Sequence, residues 1–123
     1  MQDYRKLQAW QKSHTLALRT YAITANFPKS EMFGLTSQMR RAAVSIAANL
    51  AEGCYRDTKR SLAQSVRVAL GSAGELEYYA ILAADLKLLS ESDRVLFAEE
   101  TVEVKRVVSG FLRAVVATLG KER

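Results

Sequence analysis

The sequence of 123 residues contains one cysteine, one histidine and one proline. A single cysteine excludes an internal disulfide, and Cys54 with His14 gives too few ligands for a zinc site within one chain. One proline and six glycines are too few for an all-β chain rich in turns. No apolar run approaches the ~20 residues that span a bilayer, and no apolar leader is visible, so we expect a cytoplasmic protein without membrane contact.

The composition is that of one folded domain over residues 1–123, with 49% hydrophobic and 25% charged residues. The net charge is +5 and is distributed unevenly. Residues 1–34 and 35–60 each hold five Lys or Arg against two acids, whereas residues 61–123 hold eight against nine. A basic first half favours a surface for nucleic acid or another polyanion, and ordinary solubility is the alternative explanation.

Hydrophobic periodicity predicts four helices, at about residues 4–26, 36–53, 58–89 and 91–119. Phe27-Pro28 ends the first helix, and Gly53 ends the second. Thr36, Asp57 or Thr58, and Ser90 are the expected N-caps of the later helices. Short connections make sequential helices antiparallel, so the predicted fold is an all-α, up-down-up-down four-helix bundle.

The helices differ in their apolar stripes. The stripe of the first helix consists of Leu7, Trp10, His14, Leu18 and Tyr21, and that of the second consists of Met39, Ala42, Ala43, Ile46 and Leu50. The last helix has two: Phe97, Thr101, Val104, Val108, Phe111 and Val115 form one, and Ala98, Val102, Leu112, Val116 and Leu119 form the other. A bundle helix needs one such face, so the surplus predicts a partner surface, most simply for a second copy of the chain.

No catalytic motif is visible. His14 lies on the apolar stripe, which is typical of a core or interface residue, and Ser45 has no nucleophile elbow or glycine-rich oxyanion turn. The segment Gly71-Ser72-Ala73-Gly74-Glu75 lacks the lysine of a phosphate-binding loop. Di-metal bundles use two Glu-x-x-His motifs, for which the chain has too few histidines. We therefore expect no enzymatic activity, no cofactor and no metal.

A polar row runs along the second helix at spacings of three and four residues, through Gln38, Arg41, Ser45, Asn49 and Glu52. On the antiparallel third helix, Glu75 follows Gly71, and a glycine inside a helix costs about 1 kcal/mol unless another backbone needs the space. We expect Arg40 or Arg41 to meet Glu75 there. The predicted alignment layer, which sets how helices or subunits meet, comprises Arg40, Arg41, Ser45, Asn49, Glu52, Gly71 and Glu75. Contact of the same residues with a ligand or nucleic acid is the alternative.

Basic residues form a second candidate site. Arg5, Lys12 and Arg19 recur every seven residues on the first helix, and Tyr55 lies among the cations that follow the second helix. Lysine and arginine neutralise phosphates, and tyrosine stacks on bases. The candidate nucleic-acid-binding residues are Arg5, Lys12, Arg19, Arg56, Lys59, Arg60 and Arg67.

The segment FPKSEMFGLTSQMRRAAVSIAANLAEG, followed by Arg56, Thr58 and ALGSAGELE, resembles a bacterial four-helix-bundle family. Its members are encoded in intervening sequences of 23S rRNA genes and are often labelled S23 ribosomal proteins. The resemblance covers nearly the whole chain. Departures are small: Ala47-Ala48 replaces a pair that often begins with proline, and Leu50 replaces isoleucine.

The resemblance implies an antiparallel bundle that assembles as a homopentamer. It also implies similarity in fold to the accessory variability determinant of diversity-generating retroelements, a basic pentamer that binds nucleic acid and a reverse transcriptase. Function carried over from that protein is an analogy of fold. The expected function is a non-enzymatic, oligomeric accessory protein that binds RNA or DNA. The alternative is a protein-interaction scaffold whose positive charge is incidental.

Overall fold

The structure is a computed structural model, which describes the backbone of residues 2–121 and the side chains of residues 2–119. A 3-10 turn at Tyr4–Lys6 precedes α1 (Gln8–Thr24), and a second at Lys29–Glu31 precedes α2 (Leu35–Gly53). The two long helices α3 (Lys59–Asp85) and α4 (Glu91–Lys121) complete the described chain. The predicted all-α class is confirmed. The predicted domain also spans residues 1, 122 and 123, which lie outside the described residues.

The four helices form a bundle in which α1 packs against α2 and α4, and α3 packs against the same two helices. Hydrogen bonds between side chains show that α2 and α3 are antiparallel. Gln38 contacts Tyr79 and Ser45 contacts Ser72, so the residue number rises along α2 as it falls along α3. This arrangement agrees with the predicted up-and-down topology. The core is continuous from Leu16 on α1 to Val108 on α4.

The predicted core-facing stripes of α2 and α4 are confirmed. Met39, Ala43, Ile46 and Leu50 are fully buried, and so is Phe97 on α4. The second stripe of α4 is largely outward, with Val102 56% exposed. The described chain therefore leaves a surplus apolar face on α4 uncovered.

Most of the predicted apolar stripe of α1 lies outside the core, although Trp10 packs against it. Leu18 is 60% exposed and Tyr21 is 47% exposed, and His14 lies at the surface. The buried face of α1 instead consists of Ala9, Ser13, Leu16, Ala17, Thr20, Ile23 and Thr24. Its hydroxyl groups can be buried because each donates to the carbonyl four residues earlier, as Ser13 does to Ala9 at 2.7 Å. These internal bonds make polar residues acceptable in the core.

Two N-caps agree with expectation and one does not. The Thr58 hydroxyl accepts from the Ser61 N–H at 3.0 Å, and the Ser90 hydroxyl accepts from the Asp93 N–H at 3.2 Å. Thr36 is not a cap, because α2 begins one residue before it. The Glu31 carboxylate takes the first N–H of α2 instead, accepting from Leu35 at 3.1 Å.

The third helix is shorter than predicted and ends at Asp85. Lys87 has a φ of 64°, and the Leu88 N–H donates to the Ala83 carbonyl at 2.9 Å. A left-handed residue followed by this backward bond is the usual helix stop, which glycine normally provides. A lysine at this position gives no such signal in the sequence. The first helix likewise ends at Thr24, two residues before the predicted limit.

Candidate functional site

The polar row of α2 forms a layer between α2 and α3. The Ser45 and Ser72 hydroxyl oxygens are 2.8 Å apart, and the Asn49 amide donates to both the carbonyl and the hydroxyl of Ser45. One end of the row is tied by the Tyr79 hydroxyl, which donates to Gln38 at 3.4 Å. Because Ser45, Ser72 and Asn49 are partly buried, their bonds favour one alignment of the two helices.

Arg40 does not meet Glu75. Its guanidinium lies 4.6 Å from the centroid of the Tyr21 ring, and its Nε donates to Thr24 Oγ1 at 2.9 Å. Arg40 therefore joins α2 to α1, and the expected pairing with α3 is wrong for this residue.

Arg41 forms no ion pair with Glu75 among the described residues; Tyr79 lies near both. Burial and the Glu75 carboxylate raise the pKa of Tyr79, and the Arg41 charge acts in the opposite direction. The layer thus contains a tyrosine near the predicted charged pair. Tyrosine was not among the predicted alignment residues, because a phenol on a partly buried helix face gives no distinctive spacing.

Gly53 ends α2 as predicted, but it also has the close-contact role that was predicted for Gly71. A Cβ built at Gly71 meets no atom within 4 Å, and the same holds at Gly74. A Cβ at Gly53 would lie 2.9 Å from Leu62 Cδ1 and 3.0 Å from Ser65 Cβ. The close approach of α2 to α3 is therefore at Gly53, and the prediction that Gly71 opens the contact between helices of one chain is wrong.

Among the described residues, acidic partners are seen for Arg5, Lys12, Arg19 and Arg56 of the candidate nucleic-acid-binding residues. Lys12 Nζ lies 3.4 Å from Glu103 Oε1, and Arg19 Nε lies 2.8 Å from Glu100 Oε1, so the two members of the basic row that lie in α1 meet acids of α4. Arg5 pairs with Asp3 at 3.2 Å, and Arg56 pairs with Glu52 four residues earlier. These pairs reduce the charge that the four side chains offer to a phosphate.

Arg60 and Arg67 differ from the other candidates. Both are exposed on α3, and neither forms an ion pair within the described part of the chain. Their seven-residue spacing places them on one side of α3, about 10 Å apart along the helix axis. Gly71 and Gly74 continue that exposed side towards Tyr78, which is 58% exposed. The structure therefore provides a small basic face on α3.

An apolar groove between α1 and α2 was not predicted as a site. It has a volume of about 360 Å³ and lies along the outward stripe of α1. Its lining residues are Tyr4, Trp10, His14, Ala17, Leu18, Tyr21, Val44, Ala47, Ala48 and Ala51. The Trp10 and His14 rings stack in it with centroids 4.9 Å apart. The sequence signal was present, but the stripe was assigned to the wrong environment.

The residues considered for catalysis have ordinary structural environments. His14 stacks on Trp10, whereas Ser45 is bonded to Ser72 and Asn49. Cys54 is buried, and this burial raises the pKa of its thiol, so the reactive thiolate is disfavoured. Within the described residues, no group of three or more His, Cys, Asp or Glu is placed to hold a metal ion.

Comparison with known proteins identifies the family. The model of the 23S rRNA-intervening sequence protein family matches residues 5–110, so the chain belongs to that family. A search of curated proteins finds no match.

No described helix is long and apolar enough to cross a membrane.

One similar solved structure is the crystal structure of a protein of unknown function from the S23 ribosomal protein family of Bacteroides thetaiotaomicron VPI-5482. It shares 20% sequence identity, with a TM-score of 0.76 over 85% of this chain and 97% of the other. At this identity the likeness supports the fold alone.

Proposed function

We propose that the protein is a non-enzymatic, homo-oligomeric accessory protein that binds RNA or DNA through the basic face of α3. The observation that supports this most is the difference between α1 and α3. Lys12 and Arg19 of α1 pair with acids of α4, whereas Arg60 and Arg67 lie exposed and form no ion pair with other described residues. Unpaired surface arginines are well suited to neutralise phosphates.

The neighbourhood of these arginines supports the same function. Tyr55 lies at the connection of α2 and α3, close in sequence to Arg60, and is 60% exposed there. An exposed tyrosine can stack on an unpaired base, which favours a single-stranded or looped nucleic acid. The exposed glycines on α3 present no side chain that would keep a nucleic-acid backbone away.

Self-association is the second part of the proposal. The α1–α2 groove and the outward stripe of α4 are two different apolar surfaces on one chain. Contact between different surfaces of successive copies is head-to-tail, and such contacts generate closed rings when the rotation is suitable. This agrees with the homopentamer that the family resemblance implies. A ring would also repeat the basic face of α3 and increase the affinity for a long polyanion.

A protein-interaction scaffold is the second candidate function, and the same apolar groove favours it. In that case the groove would bind another protein, and a reverse transcriptase is one such partner by analogy of fold alone. The two functions differ in their response to salt. Binding to phosphates weakens steeply as salt rises, because condensed counterions are released from the nucleic acid.

The test is a fluorescence-anisotropy titration of labelled RNA and DNA, single-stranded and duplex, at several salt concentrations. We expect binding at low salt with a log–log slope of about −0.7 per phosphate contact on single strands. No binding at low salt would overturn the nucleic-acid function and leave the scaffold.

A further inference from the structure

A second open cavity of about 520 Å³ lies where α2 begins, and it shares Tyr21 and Val44 with the α1–α2 groove. Its walls come from Tyr21 of α1, from the connection before α2 and from the first turns of α2. Its lining residues are Tyr21, Met32, Phe33, Thr36, Ser37, Arg40, Arg41, Val44 and Ser45. Two of these are arginines, and no acidic residue lines it. The cavity is on the other end of α2 from the connection that leads to Arg60.

Arg40 is held in position at this cavity. Its guanidinium is fixed against Tyr21 at 4.6 Å and by the Nε bond to Thr24. The Nε bond leaves the terminal nitrogens of Arg40 free of hydrogen bonds to described residues. Arg41 is exposed beside it and forms no ion pair within the described residues. An arginine with few remaining conformations loses little entropy when it binds an anion.

The start of α2 adds donors to the two charges. The Glu31 carboxylate takes the Leu35 N–H, but the Thr36 and Ser37 N–H groups have no acceptor, since α2 starts at Leu35 and no described group outside it accepts from them. Free N–H groups at a helix N-terminus favour an anion. Independently, Thr36 is 97% buried (3% exposed). Its buried hydroxyl oxygen has no hydrogen-bond partner in the described part of the chain.

An unsatisfied buried hydroxyl is costly, and Thr36 is one of the residues that line this cavity. Phe33 lines the same cavity and is 96% exposed. A phenylalanine ring beside an anion site provides a flat apolar face, on which a nucleobase can stack. The ring of Tyr21 is already occupied by Arg40, so Phe33 is the available face.

We propose that this cavity binds the phosphate group of a nucleotide, with Arg40, Arg41 and the start of α2 around the phosphate and Phe33 against the base. The ligand is a nucleoside 5′-phosphate unit, either free or at the end of a nucleic-acid chain. This site is distinct from the basic face of α3 and does not require that face to bind RNA.

The experiment is isothermal titration calorimetry at low salt with four probes: AMP, inorganic phosphate, and one short oligonucleotide with either a 5′-phosphate or a 5′-hydroxyl. We expect AMP to bind. Arg41→Gln should lower the affinity for AMP and for inorganic phosphate at least tenfold. Phe33→Ala removes an exposed side chain. It should lower the affinity for AMP and leave the affinity for inorganic phosphate unchanged. Stronger binding of the 5′-phosphorylated oligonucleotide than of AMP would identify a chain end as the ligand, and stronger binding of AMP would identify the free nucleotide.

A control variant separates this site from the general effect of removing a positive charge. Arg113→Gln removes an exposed arginine of α4 and should leave AMP affinity unchanged. The proposal is overturned if neither AMP nor phosphate binds at millimolar concentration, or if Arg41→Gln leaves their affinity unchanged. It is also overturned if Arg41→Gln changes only the oligomer mass, which would assign the cavity to an acidic segment of another subunit. AMP binding without RNA binding would overturn the function proposed for α3 and retain this site.

Discussion

Ser45 and Ser72 place their hydroxyl oxygens 2.8 Å apart across the contact of α2 and α3. Ser45 also accepts from Asn49, so the pair belongs to a small network rather than to an isolated contact. Gln38 and Tyr79 extend the layer further along the same helices. Three residues of the polar row, Gln38, Ser45 and Asn49, therefore form hydrogen bonds in the contact of α2 with α3. That these bonds set the alignment of the helices stays a prediction.

A double-mutant cycle of Ser45→Ala and Ser72→Ala measures this contact. Each single change should lower the free energy of unfolding by about 0.5–1.5 kcal/mol, as is usual for one hydrogen bond. The double variant should lose less than the sum, because the second change removes a group that has already lost its partner. Urea unfolding followed by circular dichroism gives the values. Additive losses, like those expected for Ser45→Ala with the distant Ser109→Ala, would contradict a direct bond.

Gly53 and Gly71 provide a matched pair of glycine-to-alanine changes. Gly71→Ala should raise the free energy of unfolding by up to about 1 kcal/mol, since the added methyl group meets nothing and alanine favours a helix. Gly53→Ala should lower it, because Ser65 Cβ would be only 3.0 Å away. Thermal unfolding of both variants tests the assignment. A lower melting temperature and a lost oligomer for Gly71→Ala would instead place a second subunit against α3.

Assembly should depend on the two apolar surfaces. Leu18→Glu in the α1–α2 groove and Val102→Glu on α4 should each reduce the mass measured by light scattering, with little change in helical content, since both side chains are exposed. Ser92→Glu adds the same charge at an exposed polar position and should leave the mass unchanged. A wild-type protein with the mass of one chain would contradict self-association altogether.

The ion pairs of Glu103 predict a pH dependence of stability. The hydrogen bond from Arg106, with a smaller contribution from Lys12, lowers the pKa of this carboxyl from its ordinary value of 4.5 to about 2. A carboxyl with a lowered folded-state pKa stabilises the fold above the unfolded-state pKa, and this contribution is lost as the pH falls through the folded-state pKa. The melting temperatures of wild type and Glu103→Gln should therefore differ at neutral pH and converge between about pH 4.5 and about 2. Glu99→Gln, which removes an exposed acid without an ion pair to any described residue, should show no such convergence.

The fold could be predicted well from the sequence where the spacing of apolar residues alone determined which face of a helix is buried. The apolar spacing of α2 identified its core face, because the large apolar side chains of Met39, Ile46 and Leu50 have no favourable environment other than the core. The apolar pattern of α1 predicted the wrong buried face. Serine and threonine can lie in a core when their hydroxyl groups donate hydrogen bonds to backbone carbonyls of their own helix. Its aromatic stripe then remained outside, where it lines the groove. Hydrophobicity alone does not distinguish a core face from a surface that remains open.

The site was less predictable, because it depends on which charges meet. The basic row of α1 has the spacing of a binding face, but Lys12 and Arg19 lie beside acids of α4 that are more than 80 residues away in sequence. Arg40 and Arg41 are adjacent in sequence, yet one turns towards α1 and the other remains exposed. Such differences follow from helix rotation, which periodicity alone does not determine.

The most direct test of the proposed function compares two pairs of substitutions in one RNA-binding titration. Arg60→Gln/Arg67→Gln removes two arginines of α3 that form no ion pair with any described residue, and Arg94→Gln/Arg106→Gln removes two arginines of α4 that pair with Glu91 and Glu103. The net charge changes equally in both. We predict that the α3 pair weakens binding and flattens the salt dependence by about 0.7 per lost single-strand contact, whereas the α4 pair has little effect. Equal losses for the two pairs would contradict a specific basic face and would leave only attraction by overall charge.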